Sequence, residues 1–266
     1  MDCLPYDRAH TTMHPYEMCA LCAEEYQDPL DRRYYSQTNS CHTCGVQMAL
    51  YSHHQQLIEV DQDNILNRVI RAWRDGEIVA VKGIGGYLLT CDAFNARAIQ
   101  ELRLRKHRPS KPLAIMAPGL EAISDLAVLH SQAEEALSSA AAPIVLLSLL
   151  PNAADKLAVN DIAPGMGRLG FMMPYTPLYE LLLRRFGKPV VATSGNLSAS
   201  PIVFRDEQAL KELSKIAGLV LTNDRRIVIP QDDSVLAFSS FMKVPVWLRR
   251  SRGLAPTYIN AGLALP

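Results

Sequence analysis

The segment EIVAVKGIGGYLLT, residues 77–90, predicts two short strands joined by a tight glycine turn. Its apolar runs, residues 77–82 and 87–90, have the length of buried strands. Glycine lets backbone N–H groups approach an anion closely, and Lys82 adds a positive charge at the end of the first run. The segment is therefore a fold signal and a candidate binding turn, although many strand-to-strand turns have this composition.

Helices and strands alternate on both sides of this segment. Apolar periodicity predicts helices at residues 61–75, 95–106, 131–141, 176–186 and 207–216. Further strands are predicted at residues 112–116, 144–149, 189–193, 219–222, 235–238 and 244–248. Such alternation is typical of the α/β class, in which helices cover a sheet.

The composition excludes several classes of protein. The chain has 266 residues, 48% of them hydrophobic, and equal numbers of basic and acidic residues, 27 each. Zero formal net charge argues against a protein that mainly coats nucleic acid or anionic membrane. The longest apolar stretch, residues 140–150, is far shorter than the roughly 20 residues of a membrane span. With no apolar leader at the N-terminus, the expected location is cytoplasmic and the six cysteines are expected to be reduced.

Two CxxC pairs predict a zinc site near the N-terminus. Cys19 and Cys22 form one pair, Cys41 and Cys44 the other, with 18 residues between them. Four thiolates at this spacing are typical of a closed, structural Cys₄ site, and the alternative interpretation is two redox pairs or four thiols without a function. The sequence therefore predicts a zinc-ribbon-like module at residues 1–52, a main domain at residues 58–258 and a tail at residues 259–266.

A basic segment follows the helix predicted at residues 95–106. In RLRKHRPSK, residues 103–111, six side chains can carry positive charge. One interpretation is a solvated cap that complements the helix dipole. The other is a triphosphate clamp, because lysine supplies point charge and arginine a fork for two phosphate oxygens.

Thr193-Ser-Gly-Asn196 follows an apolar strand and is a second candidate for binding phosphate or ribose. A turn that only caps the sheet is its alternative. Residues 165–170 match GxGxxG, but no predicted strand leads into them. We therefore predict a turn there and no dinucleotide site.

Together these segments resemble the YrdC-like family of ATP-using acyl-adenylate synthases. The family signature, KxR followed by Lys and a later Ser-x-Asn, corresponds to Lys106-His-Arg108, Lys111 and Ser194-Gly-Asn196. The chain resembles one stretch of the HypF hydrogenase maturation carbamoyltransferases when further segments are added to this signature. These segments are the CxxC pairs, KGIGGYLLTCDA, MMPYTPL, TSGNLSASPIV and LRRSRG. That stretch contains their second zinc knuckle pair and their YrdC-like domain.

The resemblance implies a fold and a set of site residues. The fold is a twisted, mixed, open sheet flanked by helices and preceded by a small Cys₄ module. The implied ATP-binding residues are Lys106, Arg108, Lys111, Thr193, Ser194, Asn196 and Arg249. The implied carbamate-side residues are Lys82, Gly85 and Gly86, and the implied catalytic residues are Lys82, Lys106 and Arg108. Mg²⁺ is expected on the ATP oxygens, with Asp232 and Asp233 as candidate contacts.

The resemblance also implies a reaction and partners. In the family, an acylphosphatase domain releases carbamate from carbamoyl phosphate, and the YrdC-like domain joins carbamate to ATP. A kinase-like domain then passes the carbamoyl group to the C-terminal cysteine of a partner protein. Both flanking domains are missing from this sequence, so we interpret it as a fragment.

The chain departs from the family at a few positions, and two other functions stay open. Leu88 and Asn223 replace family histidines, Leu254 replaces a tyrosine, and Arg226 replaces a proline. These changes and the missing domains favour, as one alternative, a non-catalytic module that binds ATP or a partner, and the concave basic surface of the family suggests that such a module binds double-stranded RNA. The other alternative is a threonylcarbamoyl-adenylate synthase of tRNA modification, whose usual strand-and-turn segment and lack of zinc knuckles differ from this sequence.

Overall fold

The computed structural model describes residues 5–197, 200–239 and 241–255 and contains one eleven-stranded sheet. The predicted tail, residues 259–266, lies outside the described residues. The strands are β1 Met48–Ser52, β2 Leu57–Glu59, β3 Val79–Lys82, β4 Tyr87–Asp92, β5 Ala114–Met116, β6 Ile144–Ser148, β7 Arg168–Met172, β8 Val190–Ser194, β9 Leu219–Asn223, β10 Val235–Phe238 and β11 Pro245–Arg249.

The sheet is mixed and open. Its strand order is β11-β10-β6-β7-β5-β8-β4-β3-β9-β1-β2. The pairs β10/β6, β5/β7 and β3/β9 are parallel, and the other neighbours are antiparallel. This arrangement confirms the predicted fold class.

Helices cover both faces of the sheet. The helices are α1 Ala20–Gln27, α2 Gln62–Arg74, α3 Ala96–Lys106, α4 Leu120–Ser124, α5 Ser131–Ser138, α6 Val159–Ile162, α7 Pro177–Phe186 and α8 Asp206–Glu212. Buried side chains of α2 and α7 form one apolar cluster with the sheet, and those of α3, α4, α5, α6 and α8 form another. The chain therefore folds as three layers, with a core on each side of the sheet.

The α2/α7 layer is held to the sheet by packing and one buried hydrogen bond. Trp73 of α2 is fully buried and packs edge-on against Phe186 of α7. Its indole N–H donates to Thr90 Oγ1 on β4 at 3.1 Å, so the polar atom of this large side chain is satisfied. The Asp61 side chain accepts from Asn64 N at 2.9 Å and caps the start of α2.

Three strands, β1, β2 and β7, were not predicted. β7 begins at Arg168, in the second half of the GxGxxG segment, and ends at Met172, so the predicted turn was wrong for residues 168–170. β1 pairs with β9, which puts Met48–Ser52 in the main sheet instead of the N-terminal module. The predicted break between residues 52 and 58 therefore falls inside the β1–β2 hairpin.

The N-terminal module has a polar interior. Arg8 donates from its guanidinium to the backbone carbonyls of Gln37, Asn39 and Tyr16 at 2.7–3.1 Å. Asn39 is buried and donates to Cys22 O at 2.9 Å. Such a segment buries little apolar surface, which agrees with its need for a metal. No helix in the described part of the chain is long and apolar enough to cross a membrane.

Candidate functional site

The four cysteines of the CxxC pairs meet at one point. Cys19, Cys22, Cys41 and Cys44 place their sulfur atoms within 4.8 Å of one another. The Cys19–Cys41 and Cys41–Cys44 Sγ–Sγ distances are both 3.7 Å. Tetrahedral zinc with Zn–S bonds of about 2.3 Å requires sulfur atoms about 3.8 Å apart, so the cluster fits the ion.

Backbone N–H groups around the second CxxC pair favour its thiolates. Hydrogen bonds from the backbone of Cys44 and Thr43 lower the pKa of Cys41 to about 6. Backbone hydrogen bonds also lower the pKa of Cys44, whereas burial raises the pKa of Cys22. Donors that stabilise thiolate sulfur are typical of zinc knuckles, because the metal binds the deprotonated form.

A second site lies over the part of the sheet that α2 and α7 leave open. It is a cleft of about 720 Å³ whose floor includes apolar side chains of β5, β6, β8 and β10. Among its lining residues are six of the predicted nucleotide-site residues, namely Arg108, Lys111, Thr193, Ser194, Asn196 and Arg249. Asp232 and Asp233 also line it. The tertiary fold thus brings together residues that are far apart in the sequence.

Two arginines that are far apart in the sequence line this cleft. Arg108 is half-buried and donates from Nη2 to Pro112 O at 2.7 Å. Arg249, on β11, donates from Nε to Asp233 O at 2.7 Å. Burial, and then the positive charges of Arg103 and Arg249, lower the pKa of Arg108 from its usual value. Concentrated positive charge of this kind is typical of an anion-binding site.

Lys106 lies behind the cleft instead of in it. Its side chain is fully buried, and Nζ donates to Ser194 O, Asn196 O and Asn196 Oδ1 at 2.5, 2.6 and 2.7 Å. An ammonium group has three hydrogens, so these three acceptors use all of them. Ser194 Oγ also donates to Asn196 Oδ1, at 2.8 Å. In this conformation Lys106 therefore orients the Ser-x-Asn turn.

Burial, and then the positive charges of Arg108 and Lys111, lower the pKa of Lys106 to about 7. Phosphate bound nearby favours the ammonium form, so nucleotide binding is expected to take up a proton at this residue. We expect the affinity for ATP to fall as pH rises from 7 to 9, by about tenfold for each unit of pKa shift. Calorimetric titration with ATP across this pH range measures the change in affinity. The same titration of Lys106→Met corrects for the ionisation of ATP itself. An equal pH dependence in both proteins contradicts the prediction.

Lys82 and the glycine turn lie apart from the described lining of the cleft. Lys82 is buried, pairs with Asp206 at 2.6 Å and donates to Asn223 O at 2.7 Å. The Tyr87 hydroxyl donates to the same carboxylate at 2.6 Å. Two other cavities, of about 480 and 590 Å³, adjoin Lys82. The structure therefore places Lys82 in a buried ion pair, and its carbamate-side role stays a prediction.

Gly85 and Gly86 are packed against the rest of the chain. A Cβ on Gly85 would lie 2.4 Å from Gln231 O, and one on Gly86 would lie 2.6 Å from the Ile202 side chain. Gln231 N donates to Gly85 O at 2.9 Å. These contacts explain the two glycines by close packing, and their predicted role beside carbamate stays untested.

Three charged side chains that were not among the predicted site residues make contacts near the cleft or Lys82, although Arg103 belongs to the predicted basic segment. Asp206 is the partner of Lys82. Arg252 is buried, pairs with Asp233 at 2.9 Å and stacks on the Tyr175 ring at 3.7 Å. Arg103 donates to backbone carbonyls of the basic loop. Arg103 and Arg252 stand in basic runs that resemble solvated surface, so the sequence carried no signal of their burial, whereas the Asp206 side chain is 39% exposed.

The residues that replace family histidines and tyrosine lie outside the described lining of the cleft. Leu88 is buried in the α2/α7 cluster. Asn223 accepts from Arg225 N through Oδ1 at 3.2 Å and lines the 590 Å³ cavity. Leu254 is half-buried, and its backbone N donates to Ser251 O at 2.9 Å. These three changes leave the six residues grouped around the cleft untouched.

The fold and the two sites define the class of protein. A family model described as telomere recombination, Sua5_yciO_yrdC, matches residues 71–251, and the chain belongs to this family. A second model, described as the HypF finger, matches residues 18–51, which include the four clustered cysteines. The finger and the cluster together support a structural zinc ion.

Within this class, the chain is similar to carbamoyltransferases. It is 43% identical to the carbamoyltransferase HypF of Rhodobacter capsulatus over 253 residues and 44% identical to that of Synechocystis sp. over 260 residues. These matches cover 95% and 98% of the chain but 32% and 33% of the relatives. The chain thus spans about a third of the length of these relatives.

Solved structures agree with this assignment. The TM-score is 0.88, at 39% identity, against full-length HypF in its phosphate- and nucleotide-bound form, and the match covers 96% of this chain and 32% of that one. HypF of T. kodakarensis gives 0.89 at 37% identity, with the same coverage. P. abyssi Sua5 in complex with L-threonine, at 20% identity and a TM-score of 0.62, shares the fold. The predicted resemblance to the finger and YrdC-like region of HypF is confirmed.

Proposed function

We propose that this chain performs the adenylation step of a HypF-type carbamoyltransferase. A carbamate oxygen attacks the α-phosphorus of ATP, the bond from that phosphorus to the bridging oxygen breaks, and pyrophosphate leaves. The product is carbamoyl adenylate. We further propose that the carbamoyl group passes, through domains outside this chain, to the C-terminal cysteine of a hydrogenase maturation partner.

One observation carries this proposal. Three cations, Arg108, Lys111 and Arg249, line a single cleft with the Ser194–Asn196 turn at the end of β8. The cleft volume of about 720 Å³ lies within the usual range of about 300–1,000 Å³ for small-molecule sites. A triphosphate needs several positive charges, whereas hydroxyl and amide groups suit the α-phosphate or ribose.

Catalysis at such a site depends on position and charge. Adenylation needs the carbamate oxygen in line with the leaving pyrophosphate, and it needs the charge on the phosphates neutralised. We assign the triphosphate to Arg108, Lys111 and Arg249, and the α-phosphate side to the β8 turn. Mg²⁺ would bind mainly ATP oxygens and water. Asp232 is the carboxylate we place nearest to the metal, since Arg252 already holds the carboxylate of Asp233.

ATP–pyrophosphate exchange tests the proposal. Purified chain with Mg²⁺ is expected to exchange labelled pyrophosphate into ATP only when carbamate is supplied. Arg108→Ala is expected to weaken ATP binding by about 1.5–3 kcal/mol, the cost of losing a charged hydrogen bond, which is roughly 10- to 150-fold. Arg184→Ala, at an exposed arginine of α7, is the matched control and is expected to leave exchange unchanged. Tight ATP binding without exchange would contradict catalysis by this chain and favour a module that only binds nucleotide.

Threonylcarbamoyl adenylate synthesis is the second candidate. The chain is 30% identical to the threonylcarbamoyl-AMP synthase of Bacillus subtilis over 149 residues, which cover 55% of this chain. That match covers much less of the chain than the HypF matches do. The same exchange assay decides between the two: stimulation by threonine with bicarbonate, and none by carbamate, would favour the second candidate.

A further inference from the structure

The basic segment after α3 contains two kinds of cation. Arg108 and Lys111 line the nucleotide cleft. Arg103 and Lys106 are buried in the described structure, with relative exposures of 9% and 0%. They are three positions apart on α3 and therefore project from neighbouring points of one helix face.

Arg103 holds the basic loop. Its Nη1 lies 2.7 Å from Arg108 O, 3.2 Å from Pro109 O and 3.2 Å from Lys111 O. The other side of the guanidinium donates to Asp161 O at 2.5 Å and to Ile162 O at 2.8 Å. The Arg103 side chain thus ties the loop that carries Arg108 and Lys111 to the C-terminal end of α6.

Lys106 holds the opposite wall of the cleft. Its three hydrogens are donated to oxygens of Ser194 and Asn196, as described above. The turn is also fixed from its other side, because Gly195 N donates to Tyr87 O at 2.6 Å and Gly195 O accepts from Val203 N at 2.8 Å. A Cβ on Gly195 would lie 2.8 Å from Tyr87 O, so little other placement of the turn is available.

We propose that Arg103 and Lys106 are positioning residues that set the distance between the two anion-binding walls of the cleft, and that neither contacts phosphate. This inference rests on the proposed function, because the distance between the walls affects activity only if an anionic nucleotide binds between them. It differs from the expectation that Lys106 belongs to the triphosphate clamp. The clamp that touches phosphate is then Arg108, Lys111 and Arg249.

Pairs of substitutions test this division of roles. If Arg103 acts through the loop that carries Arg108 and Lys111, the double variant Arg103→Met/Arg108→Ala loses less ATP affinity than the product of the two single losses. If Lys106 acts through Asn196, Lys106→Met/Asn196→Ala likewise loses less than the product of its two single losses. The single variants Arg103→Met and Lys106→Met are each expected to lose about 10- to 100-fold in ATP affinity, the range for losing a charged hydrogen bond. Losses that multiply in both double variants would overturn the proposal, because independent contacts with phosphate are additive in free energy.

Amide hydrogen exchange keeps the proposal testable without nucleotide. Lys106→Met is expected to speed exchange at residues 194–197 and 203, and Arg103→Met at residues 108–113. Lys106→Gln and Arg103→Lys, which keep some donors, serve if the methionine variants do not fold, and are expected to give smaller increases. If the wild type does not bind ATP, the proposed function fails, and amide hydrogen exchange alone then tests the positioning roles of Arg103 and Lys106. Unchanged exchange in these segments overturns the positioning roles.

Discussion

Removal of the metal from the Cys₄ cluster is expected to unfold the N-terminal module and leave the sheet folded. Cys44→Ser removes one of the four clustered thiolates, and chelation of the wild type removes the metal that they would hold. In residues 8–46 the buried side chains are only Met13, Cys22, Thr11 and Asn39, so this segment has little apolar core to stabilise it. Structural zinc contributes about 10–16 kcal/mol of apparent binding free energy in zinc-finger peptides, which sets the upper range of the effect. Zinc content and hydrogen exchange measured on the same sample check the result.

Loss of the metal is also expected to loosen the loop after β9. Asp224 accepts from the Tyr16 hydroxyl at 2.8 Å and from Gln47 N at 2.9 Å, and the Gln47 side chain donates to Gly45 O at 2.9 Å in the zinc knuckle. Exchange at residues 223–225 should therefore increase together with that of the module. Cys91→Ala is the control, because Cys91 is buried in the sheet and lies outside the cluster. A Cys44→Ser protein, or a chelated wild type, that has lost its zinc and still shows unchanged amide hydrogen exchange would refute the structural role.

Lys82→Met is expected to lower the free energy of unfolding by about 2 kcal/mol. Breaking a fully buried ion pair costs about 3–5 kcal/mol, and this pair should cost less because the Asp206 side chain is 39% exposed. The substitution also leaves Asn223 O without the lysine donor. Urea denaturation of the two proteins measures the difference.

A double variant separates stability from catalysis at this position. Lys82→Met/Asp206→Asn is expected to recover part of the lost stability, since no uncompensated carboxylate remains beside the methionine. Unchanged stability in Lys82→Met, combined with loss of ATP–pyrophosphate exchange, would contradict the structural account. That outcome would favour the carbamate-side role predicted from the resemblance.

Most of the fold could be predicted from local sequence. The strands at β3, β4, β6 and β8 and the helices α2, α3 and α7 lie within a few residues of their predicted bounds. Their apolar periodicity and capping residues act locally, so the sequence contains the necessary information. β1, β2 and β7 were missed because short strands with glycines or mixed polarity are stabilised by their neighbours in the sheet. These neighbours are β9 for β1, β1 for β2, and β5 and β6 for β7.

The candidate sites, like the fold, could be predicted only in part from local sequence. The zinc ligands could be predicted from spacing alone, because two CxxC pairs are local geometry and thiolates have few other uses in such a pattern. The family motifs also identified the residues grouped around the cleft. Which of those cations face solvent and which are buried depends on long-range contacts that a linear pattern does not contain.

The sequence by itself determined the α/β class, the metal ligands and the set of residues available for binding nucleotide. Only the tertiary structure decided that Lys106 donates to Asn196, 90 positions along the chain, and that Lys82 pairs with Asp206. The physical reason is that a lysine has the same charge and reach in any local sequence. Its role depends on which acceptors the fold brings within about 3 Å of its ammonium group.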